Sequence, residues 1–139
     1  MKRFDFPVPY GWFYIAESAD LAPGAIRQVR RFGRDLILWR GTEGAAHLQD
    51  AYCPHLGANI AVGGQVVGDT VECPFHKWTF NGDGSVATIP YASKITPYAC
   101  LTTYPVQEMY GFVMGWYHPA GLAPFFDLPR VPELDAGDA

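Results

Sequence analysis

Apolar positions along the chain fall into short runs cut apart by twelve prolines and fifteen glycines, and no stretch sustains the 3.6-residue spacing of an amphipathic helix. Runs such as Leu36-Ile37-Leu38-Trp39 and Val66-Val67, bounded by turn formers, read as strands. The pattern predicts strands at residues 11–15, 26–32, 36–40, 46–50, 65–67, 70–73, 78–80, 86–88, 102–108 and 111–117. Gly68-Asp69 has the two-residue spacing of a tight hairpin turn, and Asn81-Gly82-Asp83-Gly84 supplies residues that tolerate positive φ. The expected fold class is all-β, an antiparallel sandwich or partly closed barrel.

Beyond Pro119 the texture changes: Pro119, Pro124, Pro129 and Pro132 alternate with Phe125, Phe126, Leu128 and Val131 before an acidic end. Residues 119–139 read as a Pro-rich tail or linker whose apolar side chains need a cover, which makes an oligomer through this tail one expectation. The length of 139 residues suits one domain, placed at 1–118, and 49% apolar against 17% charged residues predicts a real core.

A net charge of −4 removes the electrostatic reason to expect nucleic acid or an anionic membrane as partner. No run is long and apolar enough for a membrane span. Met1-Lys2-Arg3 is followed by Pro7, Pro9 and Gly11 instead of an apolar signal region, so the expected location is the cytoplasm. Three cysteines, an odd number, argue for metal or redox use over a disulfide framework.

The chemistry concentrates in Cys53-Pro54-His55-Leu56-Gly57 and Cys73-Pro74-Phe75-His76, two loops that each offer one thiolate and one imidazole. The hairpin between them folds the loops back beside one another. A mixed-ligand [2Fe–2S] centre needs two thiolates on one iron and two imidazoles on the other, which Cys53, Cys73, His55 and His76 supply. Replacing two thiolates by neutral imidazoles removes negative charge and raises the potential. Because a reduced cluster favours protonated imidazole, electron uptake can couple to proton uptake at His55 or His76. Pro54 and Pro74 stiffen both loops, Gly57, Gly63 and Gly64 permit close backbone approach, and Ile89-Pro90-Tyr91 offers a third, shielding loop. A structural zinc site is the rival for the same quartet, but zinc more often uses closely spaced pairs such as Cys-x2-Cys.

The two ligand loops, with Gly11-Trp12-Phe13-Tyr14 before them and Ile89-Pro90-Tyr91 after, resemble the Rieske domain of Rieske non-haem iron oxygenases. The wording Ala58-Asn59-Ile60-Ala61-Val62-Gly63-Gly64 and Phe75-His76-Lys77-Trp78-Thr79-Phe80-Asn81-Gly82 is most similar to the steroid-acting branch, cholesterol 7-desaturases and ketosteroid 9α-hydroxylases. The resemblance implies a Rieske iron-sulfur fold: a β-sandwich base at 11–50 and 96–118, with a cluster-binding subdomain at 51–92 inserted into it. It implies one-electron transfer, with a reductase or ferredoxin as donor and a mononuclear iron oxygenase domain as acceptor. A stand-alone Rieske-type ferredoxin serving another oxidase is the alternative.

Two departures qualify the resemblance. Neither loop carries the extra cysteine of the high-potential respiratory proteins, and Trp78 and Phe80 stand where a Ser and a Tyr would be expected. Fewer hydrogen bonds to the sulfurs predict a potential towards the lower end of the ~−150 to +300 mV Rieske range. After the cluster is served, only His47 and His118 remain, and they stand seventy-one positions apart, so the two-histidine, one-carboxylate iron site where oxygenases of this family do their chemistry is not expected from what is left and no catalytic residue is assigned. Of the remaining residues, His47 is expected to be an exposed strand residue and Cys100 a small buried one, while Trp12, Trp39 and Trp116 read as core or rim aromatics. Arg27, Arg30, Arg31 and Arg34 read as a solvated hairpin face or a docking patch for an acidic reductase.

Overall fold

The computed structural model describes residues 8–54, 57–75, 77–90 and 100–137. The strands are β1 (Gly11–Glu17), β2 (Ile26–Arg31), β3 (Arg34–Arg40), β4 (Ala46–Asp50), β5 (Gln65–Val67), β6 (Thr70–Glu72), β7 (Thr79–Asn81), β8 (Val86–Thr88), β9 (Thr103–Tyr104), β10 (Val106–Met109) and β11 (Phe112–Tyr117). They form three antiparallel sheets, ordered β1-β11-β10, β2-β3-β4-β9 and β5-β6-β7-β8.

The sheet built on β3 is shared by the other two. Leu36 and Leu38 pack with Leu48, Ile15 and Val113 towards the β1-β11-β10 sheet. Ile37 and Trp39, on the opposite face by strand alternation, pack with Val71, Phe80 and Val86 of the third sheet. Burial on both faces explains why this strand is a continuous apolar run and not an alternating one. Each such fully buried side chain stabilises by roughly 1.5–3 kcal/mol. Gly115 keeps β11 close to the middle sheet: a Cβ there would sit 2.8 Å from Leu48 Cδ2 and 3.1 Å from Ile15 Cγ1.

Two polar ties fix the layers. Arg40, only 8% exposed, holds Glu108 of β10 bidentately, with Nη2 to Oε1 at 2.6 Å and Nη1 to Oε2 at 2.9 Å, and donates Nε–H to the Leu21 carbonyl at 2.6 Å. The hydrogen bond from Arg40 holds the Glu108 carboxyl below its ordinary range. The second tie, through Gln49, joins the base to the cluster-binding unit.

Two sequence expectations change. The strand foreseen at 102–108 is two strands in different sheets, because Pro105 cannot donate to a ladder and breaks the run between β9 and β10. A short helix, α1 (Pro132–Gly137), closes the tail, with proline at its first position where a missing N–H costs nothing. The tail itself returns along the β1-β11-β10 sheet. Trp12 and Trp116 donate their indole N–H groups to the carbonyls of Phe126 (2.8 Å) and Leu122 (2.9 Å). Both phenyl rings, Phe125 and Phe126, stand edge-on to Trp116, and Val131 N–H donates to Tyr110 Oη at 2.7 Å. His118 stacks on Tyr10 and accepts the Ala120 N–H at Nδ1, an anchoring role at the start of the tail. Among the described residues, no helix is long and apolar enough to cross a membrane.

Candidate metal centre

The two cysteine loops are closed in the same way. Cys53 donates its N–H to the Ala58 carbonyl at 2.8 Å, and Cys73 donates its N–H to the Trp78 carbonyl at 2.7 Å, in each case a carbonyl five residues onward. In each loop the residue just before that carbonyl lies in the left-handed region, Gly57 with φ 75° and Lys77 with φ 61°. Glycine takes this conformation freely, whereas a lysine there costs roughly 1–2 kcal/mol. Lys77 places its ammonium 3.6 Å from Glu72, the residue at the stem of the same loop. The backbone role of Lys77 gave no signal in the sequence, since nothing in its residue type announces a positive φ.

Cys53 is 2% exposed and Cys73 fully buried, and both lie in one core with Ile60, Val71, Trp78, Phe80 and Ile89. No disulfide joins them. Phe75 donates its backbone N–H to Cys73 Sγ at 3.4 Å. The loops also touch through Gly63, where an added Cβ would lie 3.3 Å from Pro74 Cβ, and through Gly64, which admits the Ile60 and Glu72 carbonyls. Two soft sulfur donors drawn into one apolar core at the bases of matched loops are a donor set suited to iron, with a backbone N–H already aimed at one sulfur. His55 and His76 lie outside the described residues, as does Tyr91 of the expected shielding loop; Ile89 of that loop is buried in the shared core.

Sequence reasoning missed Gln49. It is fully buried, accepts the Trp39 indole N–H at 2.8 Å, and donates through Nε2 to the Asn81 carbonyl at 3.0 Å and to Thr103 Oγ1 at 3.1 Å. This network joins the base to the β7–β8 turn of the cluster-binding unit. A glutamine inside a strand resembles any exposed polar position until the covering layer is known.

His47 is corrected from exposed to half-buried. It faces Trp39 across the β3–β4 ladder, with ring centroids 4.5 Å apart, and Gly82 covers it so closely that a side chain there would overlap the imidazole. Burial pushes its pKa down, outweighing the opposing pull of Asp69. Cys100 is corrected from buried to exposed. Its neighbour Leu101 turns inward and is 2% exposed, and alternation along the extended chain sends Cys100 outward. Trp39 and Trp116 are core residues and Trp12 half-buried, as expected.

Beside the first loop, Tyr52 donates its hydroxyl to Asp35 Oδ2 at 2.8 Å, and Arg30 pairs with Asp35 Oδ1 at 2.8 Å. These bonds, Tyr52 first and Arg30 second, hold the Asp35 carboxyl below its ordinary range.

Known proteins are similar to this chain in sequence and in fold. The chain is 46% identical over 127 residues to cholesterol 7-desaturase of Xenopus laevis, covering 91% of this chain and 28% of that protein. It is 42% identical to the "probable 3-ketosteroid-9-alpha-monooxygenase, oxygenase component" of Rhodococcus rhodochrous, covering 89% of this chain and 31% of that one. The chain thus spans less than a third of either relative's length. Among solved structures, it superposes with TM-score 0.66 and 25% identity on the reduced complex between oxygenase and ferredoxin in carbazole 1,9a-dioxygenase, over 78% of this chain and 28% of that chain. The family model described as "Rieske [2Fe-2S] domain" matches residues 11–105. With the paired loops inside that span, the chain belongs to the Rieske [2Fe–2S] domain family and is a cluster-binding electron-transfer domain.

Proposed function

We propose that Cys53 and Cys73 bind one iron of the cluster and His55 and His76 the other, and that the chain is the electron-transfer part of a Rieske non-haem iron oxygenase acting on a steroid-like or other hydrophobic substrate. The observation that carries this reading is the common closure of the two loops, which brings both thiols into one core. When bound, the cluster accepts and releases a single electron. The chain's own residues set the conditions: both cysteines must be deprotonated to bind, the histidines bind neutral, and their outer ring nitrogens hold or release a proton. Phe75 N–H stabilises negative charge on Cys73 Sγ.

The substrate class rests on the likeness to the desaturase and ketosteroid monooxygenase relatives. The electron donor is a reductase or ferredoxin, by analogy with the ferredoxin-bound oxygenase, and the acceptor is a mononuclear iron site outside residues 1–139. The cytoplasm, where thiols stay reduced, is the proposed location.

A specific observation favours a second reading, a stand-alone Rieske-type ferredoxin: the tail folds back on the domain's own sheet through Phe125, Phe126 and Val131. Gel filtration separates the two, since a free ferredoxin elutes as a monomer, while an oxygenase component with Leu122 and Phe125 left 55% and 60% exposed associates through the tail.

Anaerobic titration of iron- and sulfide-reconstituted protein tests the main proposal. It predicts uptake of one electron for every two irons, and loss of bound iron in Cys53→Ala and His76→Ala variants. Colourless protein that takes up zinc in preference to iron would overturn it.

A further inference from the structure

We infer that the electron donor docks on the guanidinium face of the β2–β3 hairpin, and that the surface it covers reaches the first cysteine loop through Arg30, Asp35 and Tyr52. The inference rests on the electron-transfer reading and adds where the donor binds and its chemical class: a small acidic one-electron carrier protein.

Charge separation within the chain comes first. Residues 27–35 hold Arg27, Arg30, Arg31 and Arg34 against Asp35, a net of +3, so a chain of net −4 carries −7 elsewhere. A basic island on an acidic molecule leaves acidic partners repelled everywhere except at one place, and so orients them before contact. Three of these arginines, Arg27, Arg30 and Arg34, are exposed, and the Arg27 side chain makes no hydrogen bond or ion pair among the described residues.

Three of the four guanidinium groups, those of Arg30, Arg31 and Arg34, are held by partners. Arg31 donates through Nε to the Tyr14 carbonyl at 3.2 Å and through Nη2 to the Ile15 carbonyl at 3.0 Å, which pins β2 against β1. Arg34 Nη1 donates to Tyr104 Oη at 3.3 Å. A fixed set of charges loses less side-chain freedom on docking than a floating one.

The hairpin lies beside the first cysteine loop. Arg30, Arg34, Asp35, Asp50 and Tyr52 line a depression of about 310 Å³. Tyr52, 47% exposed, is the peptide neighbour of Cys53. Asn59 of the same loop donates to Gln28 Oε1 of β2 at 3.2 Å, and Ala51 N–H donates to the Asp35 carbonyl at 3.1 Å, which ties the hairpin to the loop. A carrier seated on the arginines therefore covers a residue adjoining a cluster thiolate. One electron leaves the reduced carrier, which is oxidised by one unit, and enters this domain; no bond forms or breaks.

The test uses the full reconstituted chain and a plant-type [2Fe–2S] ferredoxin, an acidic carrier, as probe. Binding of the oxidised probe is measured calorimetrically, and cluster reduction by the reduced probe by stopped flow, from low to high salt. Arg27→Glu and Arg34→Glu should each weaken binding and slow bimolecular reduction about tenfold at low salt, with a flatter salt dependence, because steering fields of this kind raise on-rates by 10-fold or more. Reduction by dithionite and the optical spectrum should stay as in the parent, and Arg130→Glu in the tail should leave probe binding within about twofold. Parent-like binding, rate and salt slope in both hairpin variants would overturn the docking assignment while leaving the cluster intact. Failure of dithionite to reduce the parent chain would instead strike the electron-transfer reading itself.

Discussion

Phe75 donates its backbone N–H to the sulfur of Cys73 across 3.4 Å, the kind of contact that sets a cluster's potential within a fold. A donor aimed at a ligand sulfur stabilises the more negative, reduced form. Phe75→Pro removes that N–H while keeping an apolar side chain. The reduction potential should fall, by roughly 40 mV for each kcal/mol of lost preference for the reduced state. Protein-film voltammetry of the two proteins checks it; an unchanged or higher potential contradicts the role given to this N–H.

Gln49 binds the two parts of the domain together with no unsatisfied group, so its loss should be felt in both. In Gln49→Leu, the buried Trp39 indole N–H loses its partner, while the Asn81 carbonyl keeps the Gly84 N–H at 2.9 Å. A buried group left unpaired costs about 1–3 kcal/mol. Denaturant unfolding followed by tryptophan fluorescence should show a loss of about 1–3 kcal/mol on that basis. A change within a few tenths of a kcal/mol would mean the network is ornamental.

His47 gives the fold an acid-sensitive point away from the cluster. Its folded pKa lies below the ordinary value because burial against Trp39 disfavours the cation. The unfolded state therefore binds the proton more readily, so the contribution is fully present above about pH 6.5 and is lost as the pH falls towards and through the folded pKa. Asp50, whose carboxyl is pushed up by burial, acts with the opposite sign at lower pH in parent and variant alike. Thermal melts between pH 7.5 and 5 should show a smaller loss of Tm in His47→Gln than in the parent. Parallel curves would remove His47 from the account.

The three cysteines should separate by reactivity. Cys53 and Cys73 are buried and Cys100 exposed, so a maleimide under native conditions should label Cys100 alone. Cys100→Ser should abolish native labelling and leave the visible spectrum unchanged. Mass spectrometry of the digest reads the outcome, and rapid modification of Cys73 in the folded, loaded protein would contradict the burial described here.

How much of this was legible beforehand follows from which layer a residue belongs to. Strands such as β4 and β5 carry their own boundary signals, and the Cys-x-His spacing names its chemistry without help from the fold. His47, Gln49 and Cys100 were opaque because each depends on what lies across from it. The covering turn at Gly82 makes His47 half-buried, the same turn makes Gln49 a buried connector, and the inward turn of Leu101 pushes Cys100 out. Lys77 shows a further kind of silence, since its left-handed backbone is demanded by loop closure and not by its own propensity. Pro105, by contrast, carried a readable signal: a residue without an N–H inside a supposed strand marks the break between β9 and β10.

The central claim is uneven ligation, sulfur on one iron and imidazole nitrogen on the other. Pulsed EPR of the dithionite-reduced protein, prepared with 15N-labelled histidine, tests it most directly. Couplings from two distinct histidine nitrogens, reduced to one in His55→Cys, are the predicted result. A paramagnetic cluster with no nitrogen coupling, or no reduced-state signal at all, would contradict the account.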